Sequence, residues 1–332
     1  MSSQNILVTG GAGYVGSHVC KALAEEGWTP ITYDNLSNGH EWAVQWGPLE
    51  IGDIRDRERL KSIVQTYNPA GALHFAGRIE VGESIRQPIL FYDINVNGTL
   101  VLVDVLVEAG VEALIFSSTA ATYGLLNHWP VSEEHPCAPF TPYGRSKFMA
   151  EQVISDSGTS HGLKWTTLRY FNAAGAAPSG ELGEAHRNEI HLIPLVIQAA
   201  MGKRQAFSIY GTDYATPDGT CIRDFIHVTD LAAAHVSALK RLLGGGESVL
   251  LNLGTGVGVS VLEVVKALEE VAGVPVPTEI QDRRVGDPPI LVGDPRRAQT
   301  VLPWMPQRSD LISILADAWA WHTSDFCAQL EL

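Results

Sequence analysis

An α/β fold, with a parallel sheet covered by helices on both sides, is the fold class that the sequence predicts. The chain opens with a short apolar run, NILVTG, followed by the glycine-rich GAGYVG and a helical segment that ends at Gly27. Further apolar runs (TPITYDN, GALHFAG, EALIFSS, KWTTLRY) alternate with helical segments such as 97–109 and 144–157. Strands that are apolar on both faces are typical of parallel sheets buried between helices. We therefore expect a doubly wound, Rossmann-type sheet.

The second half of the chain has a different texture. After about residue 172, loop-like and turn-rich stretches dominate, notably at 211–220 and 281–295. We expect residues 1–175 to form the sheet domain and residues 176–332 to form mainly a smaller, mixed α/β substrate domain. The exception is 225–255, where a helical run and the apolar SVLLNLGTG predict a return of the chain to the main sheet.

Composition excludes several classes of protein. The 332 residues are 45% apolar and 18% charged, as in globular enzymes, and the net charge of −14 argues against a nucleic-acid partner, which needs clustered Lys and Arg. The longest apolar stretch, TLVLVDVLVEAGVEALIFSS, is interrupted by acidic residues, and the N-terminus lacks the pattern of a signal peptide. Four cysteines without a C-x-x-C pair suit free thiols in a reducing compartment. They are Cys20, Cys137, Cys221 and Cys327. We expect a cytoplasmic protein with no membrane partner.

A dinucleotide site is predicted at the first turn. Gly10, Gly13 and Gly16 are spaced by three between a strand and a helix, where glycine lets backbone N–H groups and the helix N-terminus approach a pyrophosphate. Asp34 ends the second strand, where a carboxylate accepts from ribose hydroxyls and repels a 2′-phosphate, which favours NAD over NADP. The alternative for Asp34 is a residue of the turn DNLSNG. Asp53 follows the third strand and is either an adenine contact or an ordinary loop carboxylate.

The stretch TPYGRSKFMAEQ places Tyr143 and Lys147 one helical turn apart. This pair is either a phenol held beside a cation for proton transfer or an ordinary helix start that carries both residues by chance. A phenol has a pKa of about 10, and each unit by which that pKa falls requires about 1.36 kcal/mol of extra stabilisation of the phenolate. A nearby positive charge provides such stabilisation.

Several motifs in order carry a family resemblance. TGGAGYVG, GDIRD, HFAG, SSTAATYG, PYGRSK and LRYFNAAG together resemble the extended short-chain dehydrogenase/reductase superfamily. HFAGRIEVGES, NVNGTL, GTDYATPDGTCIRDFIHVTDLA and NLGTGVGVSVLEVV resemble, within it, the UDP-hexose 4-epimerases, and the match spans about residues 4–325. The resemblance implies an NAD-binding domain at 1–175, a UDP-sugar-binding domain at 176–332, inversion at C4 of a UDP-hexose with bound NAD, and a homodimer.

The resemblance also implies catalytic roles. Tyr143 is the base, with Lys147 and the nicotinamide cation lowering its pKa and the lysine also bonding the nicotinamide ribose. Thr119 bridges the tyrosine and the sugar O4, while Ser117 and Ser118 are expected to be structural. Related dehydratases carry an Asp-Glu pair directly after the threonine. Here Ala120 and Ala121 follow, and alanine cannot transfer protons, which disfavours elimination.

Binding residues are carried over by position. The implied cofactor contacts are Gly10, Gly13, Tyr14, Val15, Gly16, Asp34, Asn35, Asp53, Ile54, Phe75, Ala76, Gly77, Asn95, Tyr143, Lys147 and Phe171. The implied substrate contacts are Thr119, Tyr143, Asn172, His191, Leu192, Ser208, Tyr210, Arg223, Phe225, Arg284, Asp287 and Leu291. For each of the two arginines, the alternative is a surface ion pair.

Four positions depart from the family pattern. His191 and Phe225 stand where some members have Asn and Tyr, and Ile79 stands where many have a cofactor-contacting Lys. Leu291 falls where the family walls the C2 side of the sugar, and it is smaller than the Tyr of some members. An epimerase that also accepts UDP-N-acetylhexosamines is therefore an open alternative, and a nucleotide-sugar dehydratase or oxidoreductase a weaker one. The chain shows no His, Cys or carboxylate grouping with metal-ligand spacing, so no metal is expected.

Overall fold

A seven-stranded parallel sheet forms the centre of the molecule. The computed structural model describes residues 4–126, 128–284 and 286–330. Its central strands are β1 (Asn5–Thr9), β2 (Thr29–Asp34), β3 (Leu49–Ile51), β4 (Gly71–His74), β5 (Ala113–Thr119), β6 (Lys164–Tyr170) and β11 (Val249–Leu253). They lie in the order β11-β6-β5-β4-β1-β2-β3, with every neighbouring pair parallel. The strand order reverses between β1 and β4, which is where ligands bind in open sheets of this kind.

Helices cover both faces of this sheet. The helices that cover the two faces are α1 (Tyr14–Glu25), α2 (Arg57–Tyr67), α3 (Val81–Arg86), α4 (Pro88–Tyr92), α5 (Gly98–Glu108), α6 (Pro142–His161) and α8 (Val228–Leu243). Alternate residues of β1 reach opposite faces. Ile6 and Val8 pack in one core with Val19 of α1, whereas Leu7 packs in the other with Leu102 of α5. The predicted α/β sheet with helices on both sides is confirmed.

The run Pro88–Glu108 is long and apolar enough to cross a membrane, by length and composition alone. It is helical throughout, with a π-helical turn at Asp93–Asn97 between α4 and α5. Leu102 and Leu106 are fully buried in the core beneath the sheet, and 44% of the apolar window is buried. The run therefore packs as a core helix does. Its second part, α5, contacts both α2 and α6.

The remaining elements form a smaller lobe with its own core. Its strands are β7 (Asn172–Ala174), β8 (Phe207–Tyr210), β9 (Ile222–Arg223), β10 (Phe225–His227), β12 (Val259–Ser260), β13 (Thr278–Gln281) and β14 (Ile290–Leu291). Its helices are α7 (Leu192–Ala200), α9 (Val261–Ala272), α10 (Arg296–Val301), α11 (Leu311–His322) and α12 (Asp325–Gln329). Val196, Leu268 and Ile314 of three of these helices meet in one buried cluster. The expected smaller, mixed α/β lobe is confirmed.

The chain crosses between the two lobes more than once. After β10, α8 packs against α1 and β5, and β11 pairs with β6 at the edge of the main sheet. Both α8 and β11 lie within the range 225–255, and the assignment of that range to the first domain stays a prediction. β10 itself pairs with β7 in a separate two-stranded sheet. A single boundary at 175/176 stays a prediction.

Candidate active site

A cavity of about 500 Å³ opens at the carboxyl ends of the central strands. Its wall includes most of the predicted cofactor residues: Gly10, Gly13, Tyr14, Val15, Gly16, Asp34, Asn35, Asp53, Ile54, Phe75, Ala76, Gly77, Tyr143 and Phe171. It also includes the predicted substrate residues Thr119, Asn172, His191, Leu192, Phe225, Asp287 and Leu291. Two cofactor predictions, Asn95 and Lys147, are buried behind the wall.

The glycine turn has the shape that a pyrophosphate requires. Gly10 has φ of 75°, and a Cβ there would lie 2.5 Å from the backbone N of Ala76. A Cβ on Gly16 would lie 2.2 Å from the Gly10 carbonyl oxygen, so both positions require glycine. Gly13 is the N-cap of α1 and provides no side-chain cap. The first N–H groups of the helix therefore remain available to an anion in the cavity.

Asp34 and Asp53 are held differently at the next two strand ends. Asp34 is buried, and its two oxygens accept from the backbone N–H groups of Ala12 (3.1 Å) and Leu36 (2.8 Å). Burial raises its pKa, opposed by those hydrogen bonds. Asp53 instead accepts from the Arg55 guanidinium at 2.8 Å, and this interaction lowers its pKa to about 2. Asp34 is fixed by backbone and retains acceptor capacity, whereas Asp53 already has a cation.

These groups fit NAD. The uncapped helix N-terminus suits its pyrophosphate, and the fixed Asp34 carboxylate suits two vicinal ribose hydroxyls. Ile54, Phe75 and Ala76 give the same wall apolar surface for rings.

Tyr143 and Thr119 form the candidate proton-transfer pair. Thr141 caps α6 through Gly144 N at 3.1 Å, and Pro142 is the first residue of the helix, which places Tyr143 in the first turn. Burial raises the pKa of Tyr143 and the hydrogen bond with Thr119 lowers it, with burial prevailing. The sequence predicts a pKa lowered by Lys147 together with the nicotinamide cation, and that stays a prediction. In the chain alone, desolvation of the phenolate outweighs the hydrogen bond from Thr119.

Lys147 lies one turn further along α6, in a buried position. Its Nζ is 4.4 Å from the centre of the Phe116 ring. Burial lowers its pKa to about 8, opposed by Glu151. The lysine is therefore still protonated at neutral pH, as the predicted role requires.

A buried network that the sequence did not reveal supports this helix. Glu151 accepts from Arg169 Nε at 2.9 Å and from Ser118 Oγ at 2.5 Å. Ser117 and Tyr170 Oη share a hydrogen bond of 2.6 Å. Both serines therefore have a side-chain hydrogen-bond partner within the protein. Tyr170 also lines the cavity and was missed, because it shares its strand with residues whose pattern indicates only burial.

The residues after Thr119 bear on the type of reaction. Ala120 and Ala121 line the cavity, in a short 3₁₀ turn whose N-cap is Thr119. Thr119 Oγ1 accepts from the Ala121 N–H at 3.1 Å. Neither alanine offers a proton donor at the place where an elimination would need one.

Four predicted substrate residues are not on the cavity wall: Ser208, Tyr210, Arg223 and Arg284. Arg223 pairs with Asp287 and also donates to the Pro288 carbonyl at 2.9 Å. The predicted phosphate and ribose contacts are thus ion-paired to each other. Arg284 stacks on Tyr210, with 3.9 Å between the guanidinium carbon and the ring centre. Ser208 donates to Glu279 at 2.7 Å.

The segment before α7 contains a cluster that the sequence analysis excluded. Glu184, His186, Glu189 and His191 place one oxygen or nitrogen each within 4.8 Å of one another. Burial alone would lower the pKa of His191, but attraction by Glu184 prevails and raises it to about 10. The expectation that no His and carboxylate grouping exists was wrong. The signal was present in the sequence as two E-x-H triplets, at 184–186 and 189–191.

A family model described as "NAD dependent epimerase/dehydratase family" matches residues 6–254. The chain belongs to this family. The epimerase/dehydratase model ends just after β11, so it covers all seven strands of the main sheet.

Named relatives cover nearly the whole chain. A UDP-glucose 4-epimerase of Rhizobium meliloti (strain 1021) is 54% identical over 323 residues, which are 97% of this chain and 98% of that protein. The crystal structure of UDP-glucose 4-epimerase from Brucella ovis in complex with NAD is 46% identical, with a TM-score of 0.94 over 96% of this chain and 98% of that one. The UDP-Glc/GlcNAc 4-epimerase from Campylobacter jejuni is 39% identical, with a TM-score of 0.85 over 96% and 99% of the two chains.

Proposed function

We propose that this chain is an NAD-dependent UDP-glucose 4-epimerase, which interconverts UDP-glucose and UDP-galactose through a transient 4-keto sugar. The observation that carries the proposal is one cavity that joins the glycine turn and Asp34 to Tyr143 and Thr119. Relatives of that name extend over 97% of the chain and support the substrate.

The chemistry follows from the sugar. The hydrogen on C4 of a hexose is not acidic, so a base alone cannot invert that carbon. NAD, when bound, supplies a reversible hydride acceptor for C4. The chain must then remove the O4 proton, hold it and return it after the sugar has turned over. Tyr143 takes that proton and later donates it, and Thr119, hydrogen-bonded to Tyr143, bridges it to O4.

The phenol needs positive charge to act as a base. Burial raises the pKa of Tyr143, so its phenolate is unfavourable unless a cation lies near it. Lys147, protonated at neutral pH and one turn along α6, provides a fixed charge. We assign it this positioning and electrostatic role together with contact to the cofactor ribose.

The substrate is held by the second lobe. Asn172, Phe225 and Asp287 line the same cavity as the glycine turn. Arg223 holds Asp287 and lies close to the wall, so a diphosphate at this edge meets a guanidinium already oriented by two carbonyls. We assign the nucleotide to this side, with the hexose toward Thr119.

The test is conversion without added cofactor. Purified protein is incubated with UDP-galactose, and UDP-glucose is measured with no NAD supplied. We expect equilibrium between the two sugars, with no net NADH formed because the hydride returns to the sugar. Absence of conversion even with NAD added, or stoichiometric NADH production, would overturn the proposal.

A second candidate activity is epimerisation of UDP-N-acetylhexosamines. Leu291 lines the cavity and packs in a cluster with Phe171, and it leaves more room than a tyrosine would. The similarity to the Campylobacter jejuni UDP-Glc/GlcNAc 4-epimerase supports this reading. Leu291→Tyr should lower kcat/KM for UDP-N-acetylglucosamine at least 10-fold more than for UDP-glucose. Equal losses for both sugars would remove the candidate.

We further propose a cytoplasmic homodimer. Apolar side chains on neighbouring helices α3 to α6 are exposed: Ile85, Ile89, Leu100 and Met149. Such a patch marks an interface in many proteins. The four cysteines are free thiols, consistent with a reducing compartment. Light scattering should give twice the chain mass, and Ile89→Glu should halve it. A monomeric wild type would contradict the dimer.

A further inference from the structure

The cluster before α7 is built from two repeats of Glu-x-His. Glu184 and His186 form the first repeat, and Glu189 and His191 form the second. His191 Nδ1 lies 2.7 Å from Glu184 Oε1 and 3.0 Å from Glu189 Oε1. His186 Nδ1 lies 3.1 Å from Glu184 Oε1 and 3.5 Å from Glu189 Oε2. Both histidines therefore direct the same ring nitrogen to the same two carboxylates.

The two carboxylates need a positive partner. The side chains of Glu184 and Glu189 are only 5% and 6% exposed. In the described part of the chain, the ion pairs of these two glutamates are with histidine and none is with lysine or arginine. Buried carboxylates are costly unless a cation is close. The compensating charge is thus either on the imidazoles or on an ion between the four groups.

The geometry favours an ion. His186 Nδ1 is buried and makes no hydrogen bond of acceptable geometry within the described residues, although Glu184 lies 3.1 Å away. This nitrogen is therefore not committed to a hydrogen bond within the described residues. Zn²⁺ binds imidazole and carboxylate at about 2.0–2.1 Å in a tetrahedron, which separates neighbouring ligand atoms by about 3.3 Å. The four nitrogen–oxygen separations, 2.7–3.5 Å, lie on both sides of that edge length, and all four ligand atoms lie within 4.8 Å of one another.

We propose that Glu184, His186, Glu189 and His191 bind one divalent metal ion of the Zn²⁺ class. Two imidazoles select against Mg²⁺ and Ca²⁺, which prefer oxygen ligands alone, and two carboxylates select against thiolate-preferring ions. This assignment is independent of the proposed catalytic function.

Contacts around the cluster hold the ligand segment in place. Trp321 Nε1 donates to the Glu184 carbonyl at 3.0 Å, and His40 contacts the Ala185 carbonyl through Nε2 at 2.5 Å. The Tyr14 ring meets the His186 ring edge-on at 6.3 Å between centroids. Outer contacts of this kind orient ligands before the metal arrives.

The proposed metal site lies on the cavity wall, but its ligands are not the proton-transfer residues. Glu184, His186 and His191 line the cavity, as do Tyr14 and Leu192 beside them. A bound ion would cross-link residues 184–191, the part of the wall that directly precedes α7 in the chain. Its expected effect is to stiffen that wall and raise the stability of the protein, with the metal acting as a ligand of the native state.

The test uses the full chain after removal of metals by chelation. Isothermal titration with Zn²⁺ alone should give one saturable site per chain. Glu184→Gln and His186→Ala should each weaken the affinity at least 100-fold, while circular dichroism verifies that both variants are folded. Zn²⁺ should raise the Tm of the wild type and leave the Tm of the two variants unchanged.

A second histidine pair provides a matched control. The rings of His128 and His135 lie 5.0 Å apart at 46°, the same values as for His186 and His191. Within the described residues, only the latter pair belongs to a grouping of at least three metal-ligating side chains. His135→Ala should bind Zn²⁺ as the wild type does. No saturable binding by the wild type, or equal affinity in the wild type and the two cluster variants, would overturn the proposal. So would an equal loss in His135→Ala.

Discussion

The two walls of the cavity are built by different means. The first wall is formed by the carboxyl ends of the central strands, where backbone geometry fixes Gly10 and Asp34. The second wall comes from the smaller lobe, where side chains fix one another, as in the Arg223–Asp287 pair and the stacking of Arg284 on Tyr210. The geometry of the first wall is therefore fixed by the backbone. The geometry of the second wall depends on which side chains pair with each other.

This difference indicates how each wall meets a ligand. A backbone-held carboxylate offers free acceptor capacity at no rearrangement, which keeps the cost of binding low. An arginine already paired with an aspartate must share or exchange its partner to bind a phosphate. We expect substitutions on the first wall to change chemistry and cofactor affinity, and substitutions on the second wall to change KM.

The largest effect should come from the base on the first wall. Tyr143→Phe removes the group that exchanges the O4 proton, so kcat for UDP-galactose should fall at least 10³-fold. Tyr170→Phe is the control, because Tyr170 is a second phenol on the same cavity wall that bonds Ser117. Its loss should stay below 10-fold. Steady-state kinetics of both variants decide this, and equal losses would mean that Tyr143 has no special role.

The lowered pKa of Lys147 should be detectable in the pH dependence of the free energy of unfolding. Burial lowers its pKa to about 8 in the native protein, against an ordinary value of 10.5. Between pH 8 and pH 10.5, Lys147 binds a proton in the unfolded chain but has lost it in the native protein. The contribution of Lys147 to the free energy of unfolding therefore rises with pH. The free energy of unfolding of the wild type, minus that of Lys147→Met, should increase by about 3 kcal/mol from pH 8 to pH 10.5.

Urea titrations at several pH values measure this difference. Lys164→Met removes an exposed lysine that pairs with Glu247 and is the matched control. A curve for Lys147→Met that runs parallel to the curve for Lys164→Met would show that Lys147 is not perturbed by burial.

The two strand-end carboxylates should differ in cofactor affinity. Asp34→Ala should raise the Kd for NAD about 10-fold, because its fixed acceptors are lost from the ribose position. Asp53→Ala should change the Kd less than 3-fold, since Asp53 is already paired with Arg55. Fluorescence titration of cofactor-free protein measures both. A larger rise in Kd for Asp53→Ala than for Asp34→Ala would mean that the adenosine end of NAD does not bind at Asp34.

The smallest effect is expected on the second wall, and a neighbouring arginine provides the comparison. Arg284→Gln should raise KM for UDP-galactose about 5-fold with kcat nearly unchanged, as for loss of an exposed charged contact. Arg283 stacks on Tyr214 at 4.2 Å in the same way but pairs with Asp213. Arg283→Gln should leave KM within 2-fold. A kcat effect for Arg284→Gln would move this residue toward the reacting end.

Sequence reasoning reached the first wall more fully than the second. Gly10 and Asp34 were predictable because strand ends of a parallel sheet meet at one edge, so spacing along the chain translates into position. Arg223 and Asp287 are distant in sequence, and their pairing depends on how β9 and the loop before β14 approach. The Glu151–Arg169 pair was missed for the same reason, whereas the Glu-x-His cluster is local in sequence and was missed because its spacing matches no common metal-ligand motif. Burial of Tyr143, which raises its pKa in the chain alone, was likewise not visible in the sequence.

The position of β11 has a consequence for dissecting the molecule. This strand closes one side of the central sheet against β6, yet it is made only after the chain has passed through part of the smaller lobe. A fragment ending at residue 175 would leave the backbone groups of β6 as a bare edge, which invites pairing between copies. Such a fragment should aggregate when expressed, and a fragment ending after residue 253 should be better behaved. The cofactor half therefore becomes a closed unit only when the chain has been synthesised well past its midpoint.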